Sequence, residues 1–340
     1  MRTHMSKSSC ALAAMLLAGA SVAEAQNING AGATFPAPIY QKWFGEYHTA
    51  HSGVAINYQS LGSGAGIAQL TAATVDFGAS DMPMTDDQIS KLPAKAFHFP
   101  TVLGAVVPTY NLPGATQPLK FSPDVLAGIF LGTITKWSDP KLAKDNAGVK
   151  FPNADIVVVH RSDGSGTTFV WTDYLSKVSP AWKSKVGANT SVSWPTGLGG
   201  KGNEGVAGLV KQTPNSIGYV ELIYAANNKM EYGSVKNAAG AFVAASTESV
   251  SEAAAGAAKA MPADFRVSIT NAPGKGAYPI SSFTWLLVPV HIPDAKKAAA
   301  LKGFIQWMLT DGQKECAGMY YAPLPKAVVA LELKQLAMVQ

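Results

Sequence analysis

A run of four β-branched residues, Ile156-Val157-Val158-Val159, feeds straight into His160-Arg161-Ser162-Asp163-Gly164-Ser165-Gly166-Thr167-Thr168-Phe169 and then into a helix-like stretch over 170–178. A strand, a glycine-bearing turn and a helix start, in that order, commit a segment to an α/β layer. The same order recurs along the chain. Gly30-Ala31-Gly32-Ala33-Thr34-Phe35-Pro36 leads into a helix predicted over 39–47, with Pro36 and Pro38 where proline fits best, at a first helical turn. A strand at 54–59 passes through Ser60-Leu61-Gly62-Ser63-Gly64-Ala65-Gly66 into a helix at 67–73, and a strand at 75–79 ends in Ser80-Asp81. Further strands are expected at 101–110, 217–220 and 284–290, and helices at 123–130, 204–212, 253–260 and 298–309. Pro108 marks an edge or a bend in the first of these strands. At 340 residues the chain exceeds one small domain and suits two of about 150 residues. The expected fold class is α/β, with two lobes and a cleft between them.

Each recurring junction places Gly, Ser or Thr at a strand's carboxyl end or a helix start, where open α/β sheets keep their ligand sites. The junction at 160–169 points several backbone N–H groups and the positive end of a helix dipole at one spot, and adds the Ser165 and Thr167 hydroxyls. Arginine is scarce here: Arg2, Arg161 and Arg266 are the only three among 27 basic residues. A planar guanidinium placed at this junction suits a tetrahedral oxyanion.

Other function classes fit poorly. The net charge of +5 is spread over scattered lysines, which argues against a nucleic-acid partner. His48 and His51 are three apart but lack acidic neighbours beyond Glu46, so no metal site is implied, and no cofactor motif is complete. Gly164-Ser165-Gly166 lacks the first glycine of a nucleophile elbow, because Ser162-Asp163 precede it. Gly197-Leu198-Gly199-Gly200-Lys201-Gly202 lacks the ending of a phosphate loop. Gly62-Ser63-Gly64 meets Ile67 where a dinucleotide fingerprint needs a third glycine.

The N-terminus carries Arg2 and Lys7, an apolar stretch from Cys10 to Val22, and Ala23-Glu24-Ala25. These mark residues 1–25 as a secretory signal peptide cleaved after Ala25, so a protein outside the cytoplasm is expected. Without the leader Cys316 is the only cysteine, and a buried, inert thiol is the expected state.

Four segments, Gly30-Ala31-Gly32-Ala33-Thr34-Phe35-Pro36-Ala37-Pro38, Val75-Asp76-Phe77-Gly78-Ala79-Ser80-Asp81, Asp163-Gly164-Ser165-Gly166-Thr167 and Gly218-Tyr219-Val220-Glu221, closely resemble the phosphate-binding proteins of bacterial phosphate ABC transporters in sequence and in order. The resemblance covers essentially the whole chain after the leader. It implies a two-lobed periplasmic binding-protein fold, type II-like, with a first lobe over 26–101 and 279–340 and a second over 102–278. The hinge would lie near Thr101-Val102 and Tyr278-Pro279. The phosphate ligands it implies are Thr34, Phe35, Ser63 and Asp81 from the first lobe, and Arg161, Ser165, Gly166 and Thr167 from the second. Ser165, Gly166 and Thr167 would act through N–H and hydroxyl groups, and Asp163 would orient Arg161. It further implies a periplasmic receptor, not an enzyme, that delivers phosphate to membrane permease subunits, for which a monomer is the natural form. A common family form has serine where Gly64 stands, so a looser second loop is expected. His160 stands where another basic residue is frequent.

Asp81 fits phosphate on chemical grounds. An ionised carboxylate only accepts hydrogen bonds, and phosphate near neutral pH still carries a proton to donate, whereas sulfate carries none. The readings from other classes are a secreted phosphatase-like enzyme, or another oxyanion-binding or adhesive protein on the same fold.

Overall fold

The computed structural model describes residues 26–115 and 117–340. The expected signal peptide and its cleavage after Ala25 lie outside the described residues. The elements that build the site are strands β1 (Gln26–Gly32), β2 (Val54–Ser60), β3 (Phe77–Ser80), β4 (Ala96–Asn111), β5 (Val157–Arg161), β6 (Leu198–Gly200), β7 (Ser216–Glu221), β8 (Glu231–Tyr232) and β9 (Ser281–Pro289). The helices that matter are α1 (Ala37–Ala50), α2 (Ser63–Thr71), α3 (Gly166–Val178), α4 (Gly202–Gln212), α5 (Leu222–Asn227) and α6 (Ala295–Thr310).

The strands form one nine-stranded mixed sheet in the order β2-β1-β3-β9-β4-β7-β5-β6, with β8 beside β4. The parallel pairs β1 with β2 and β3, and β5 with β6 and β7, are the products of strand-loop-helix units. Between these groups runs β4, sixteen residues long. Its first part, Ala96 to Ala105, pairs antiparallel with β9, and its second part, Val106 to Asn111, pairs antiparallel with β7. One strand thus belongs to both halves of the molecule. Pro108 sits inside it, just where the flank served by β9 has ended and β8 has not yet begun, so its missing N–H removes no ladder bond.

The expected elements are present, mostly longer than the pattern alone suggested. β4 extends back to Ala96 because Phe97, His98 and Phe99 pair with Val288, Leu287 and Leu286. α2 and α3 start earlier, at Ser63 and Gly166, so that both begin within the glycine loops. The core is aromatic on both sides of β4: Tyr40, Trp43, Phe44 and Phe77 under β1 to β3, and Phe130, Trp171 and Tyr219 beneath β7. Each such side chain takes 150–250 Å² or so out of water, which fixes the loops that cap this core.

Candidate functional site

Four loops converge where the two halves of the sheet face each other. The first, Ala33 to Phe35, leaves β1 and enters α1 through Pro36, with Pro38 in the first turn. The second is Gly62 and Ser63, opening α2. The third is Asp81, just beyond β3. The fourth carries Arg161 through Thr167, from the end of β5 into α3. Thr34, Phe35, Ser63, Asp81, Arg161, Ser165, Gly166 and Thr167 are all buried there. Among the described residues, the N–H groups of Thr34, Phe35, Ser63 and Thr167 donate to no protein acceptor. A buried N–H left unpaired costs about as much as a lost hydrogen bond, so four in one place mark a seat for an acceptor-rich ligand.

Asp81 is 1 % exposed. Its Oδ1 accepts from Thr284 Oγ1 at 2.7 Å, and its backbone N–H donates to Ser63 Oγ at 3.1 Å. Burial pushes its carboxyl up to about 7, against the opposing pull of the Thr284 hydroxyl and the Arg161 charge. A β-bulge accompanies this arrangement: Thr284 pairs with Val102 but Trp285 with Pro100, leaving Thr101 as the extra residue. Such irregularities re-aim side chains beside sites, and here the bulge lies next to the residue that reaches Asp81.

Arg161 is 3 % exposed and faces Asp163. Its Nε donates to Asp163 Oδ1 at 2.7 Å, its Nη2 to Oδ2, and its Nη1 to Thr167 Oγ1 at 3.3 Å. Asp163 also accepts from the Gly202 N–H at 3.0 Å. Burial pushes the Asp163 carboxyl up, but the Arg161 hydrogen bonds and charge outweigh it and hold the group below the usual carboxylate range. Two of the guanidinium's five N–H groups are thereby spent on orientation. Ser165 caps α3, its Oγ accepting from Thr168 N at 3.0 Å.

Two donors differ from the sequence-based expectation. The Ser165 N–H donates to Thr190 O at 2.8 Å, and the Gly166 N–H donates to Ser63 Oγ at 3.0 Å across the cleft. Thr190 lies on the same half as Ser165, and the Gly166 bond comes from the close approach of the two halves. A Cβ at position 166 would lie 2.4 Å from Ser63 Oγ and 2.5 Å from Asp81 Oδ2, so only glycine fits. Gly64 is likewise tight, not loose: its N–H donates to Gly164 O at 2.8 Å, and the two glycine backbones touch. A serine there would have held them apart.

Residues that local pattern did not single out complete the site. Asn203, in the first turn of α4, donates from Nδ2 to Thr34 Oγ1 at 2.7 Å and to Thr167 Oγ1 at 3.0 Å, while its Oδ1 accepts from the Glu221 N–H at 2.9 Å. One side chain thus ties both halves and the end of β7. Its only sequence signal was the glycine-rich run 197–202 before a helix. Among the described residues, no cluster of three His, Cys, Asp or Glu side chains could hold a metal ion.

The chain as a whole has counterparts among known proteins. A family model described as a PBP superfamily domain matches residues 18–312. The phosphate-binding protein PstS of Xylella fastidiosa (strain Temecula1) is 48% identical over 303 residues, covering 89% of this chain and 82% of that protein. PstS of Pasteurella multocida is 45% identical over 326 residues, covering 96% and 94%. The chain belongs to the PstS family. Among solved structures, a phosphate-binding protein from Stenotrophomonas maltophilia superposes with a TM-score of 0.70 at 20% identity, covering 91% of this chain and 94% of that one. A high-affinity periplasmic phosphate-binding protein bound with phosphate gives 0.71 at 22%, covering 90% and 92%. These likenesses establish the two-lobed fold. Within this PstS-family chain His160 is no idle strand end: its ring stacks on Trp194 at 4.7 Å, and burial holds its pKa below the usual value. Cys316 is fully buried, and burial pushes its thiol up to about 12, which makes it inert.

Proposed function

We propose that this chain binds inorganic phosphate between two lobes in the periplasm and hands it to the permease subunits of an ABC-type importer. The ligands are Thr34, Phe35, Ser63 and Asp81 from one lobe and Arg161, the Ser165 hydroxyl and Thr167 from the other, with Gly166 lending its N–H to Ser63 Oγ and Asp163 orienting Arg161. The lobes divide at 26–101 with 279–340 and at 102–278, and β4 and the segment leading into β9 carry the chain between them. The chain works as a monomer after removal of residues 1–25, and it is a binding protein without catalytic turnover. The curated relatives are named as phosphate-binding proteins.

The observation that carries this reading is Asp81. A buried carboxyl set among unpaired N–H groups and a guanidinium repels an anion unless one proton lies between them. Phosphate and arsenate bring that proton, and sulfate does not. Calorimetric titration of the protein from residue 26 onward, at a pH well above 7, should give one phosphate per chain, competition by arsenate, and sulfate binding that is weaker by orders of magnitude. Tighter sulfate than phosphate binding sinks the reading. A phosphatase would need a nucleophile or a metal, and turnover of a phosphate monoester would revive that alternative.

A further inference from the structure

Three consecutive carbonyl oxygens of the first loop each accept a tyrosine hydroxyl. Tyr58, on β2, donates to Ala33 O at 2.7 Å; Tyr224, on α5, donates to Thr34 O at 2.5 Å; and Tyr321 donates to Phe35 O at 2.6 Å. The peptide unit is planar and trans, so a C=O and the N–H of the next residue lie in one plane and point in opposite directions. Tying the Ala33 carbonyl therefore aims the Thr34 N–H, and tying the Thr34 carbonyl aims the Phe35 N–H. These are two of the N–H groups left without a protein acceptor. Tyr321 fixes the carbonyl that precedes Pro36, which has no N–H, so it holds the loop without aiming a donor.

The three tyrosines come from different places. Tyr58 and Tyr321 sit on the same side of the cleft as the loop they hold. Tyr224 comes from the opposite side, on the helix that follows β7. Its hydroxyl has one proton and two acceptors: Thr34 O across the cleft, and Glu204 Oε1 at 3.1 Å on its own side.

We propose that Tyr224 is a positioning residue that completes the aim of the Phe35 N–H at the bound anion when the lobes meet, adding to the Ala37 N–H that donates to Thr34 O at 3.2 Å from the loop's own side, and that its hydroxyl donates to Glu204 alone when they part. This rests on the reading of the site as a phosphate seat and adds to it an ordering of events: the Thr34 donor is aimed before the ligand arrives, and the Phe35 donor is completed by closure. Tyr224 then sets how long phosphate stays, and Tyr58 sets how well it is first met.

The test is stopped-flow binding followed by tryptophan fluorescence, with inorganic phosphate as the probe. Tyr224→Phe keeps the ring and removes one hydrogen bond, so dissociation should quicken about tenfold while association stays within about twofold of wild type. Tyr58→Phe should slow association as well. The thermal midpoint of ligand-free Tyr224→Phe should match wild type, and the backbone amide resonance of Phe35 in the phosphate complex should move in this variant more than that of Thr34. If wild type binds phosphate and Tyr224→Phe dissociates at the wild-type rate, or loses as much in association as in dissociation, the latch is overturned and the phosphate seat stands. A wild type that binds no phosphate overturns both.

Discussion

On the side of Arg161 to Thr167 the ligand would meet a guanidinium already paired with Asp163 and the start of a thirteen-residue helix. On the side of Thr34 to Asp81 it would meet unpaired N–H groups and a buried carboxyl held by Thr284. The first half attracts any small oxyanion, since neither a helix start nor a guanidinium distinguishes one from another. The second half asks whether the oxyanion carries a proton. On the proposed reading, attraction and selection are lodged on separate lobes, and closure would join them.

The sharpest way to break this division is Arg161→Ala. It removes the cation and strands Asp163 at 12 % exposure, so phosphate and sulfate should both weaken, by about 2–5 kcal/mol or roughly thirtyfold or more, with their ratio little changed. A ratio that collapses in this variant would show that selection is not confined to the other lobe. Asp81→Asn is the reciprocal lesion: an amide can donate to either anion, so the preference for phosphate over sulfate should fall about tenfold or more while phosphate affinity changes less. Competition titration reads both.

Acidity sharpens the same comparison without mutation. The Asp81 carboxyl sits at about 7, above its ordinary value, so its protonated fraction grows as the pH falls through that point. A protonated carboxyl donates. Sulfate affinity in the wild type should therefore rise by up to about tenfold per pH unit as the pH falls toward 7 from above, and level off below 7 as the group becomes fully protonated. Asp81→Asn should flatten that rise. The smallest effect expected is that of Thr284→Val. Removing the hydroxyl that favours the charged form raises the Asp81 pKa further, so the sulfate profile should shift to higher pH with phosphate affinity within about tenfold of wild type.

Much of the candidate site was legible in the sequence because the chemistry that would suit an anion is local. Gly, Ser and Thr between a strand and a helix already specify N–H groups at a helix start, and Arg161 stood out by its rarity. What stayed hidden depends on register and on distance along the chain. Thr284 lies 203 residues from Asp81 and reaches it across a strand pair whose register shifts at Thr101, which no periodicity reveals. Tyr321 lies 286 residues from the loop it ties. Asn203 opened a helix after a glycine-rich run that failed as a nucleotide loop, and its bridging of Thr34 to Thr167 exists only once the lobes meet. The Ser165 and Gly166 donors were misjudged for the same reason: their partners, Thr190 O and Ser63 Oγ, come from elsewhere in the chain.

The Arg161–Asp163 pair has a bearing on where such a protein can work. The two charges offset each other inside the fold, so on the proposed reading much of the attraction left for the anion would come from buried N–H dipoles, sheltered from solvent. Mobile ions weaken forces that act through water over a Debye length, about 8 Å at physiological ionic strength, and barely reach buried contacts. A grip built this way owes little to the salinity of its surroundings, and would hold in brackish fluid nearly as it does in fresh.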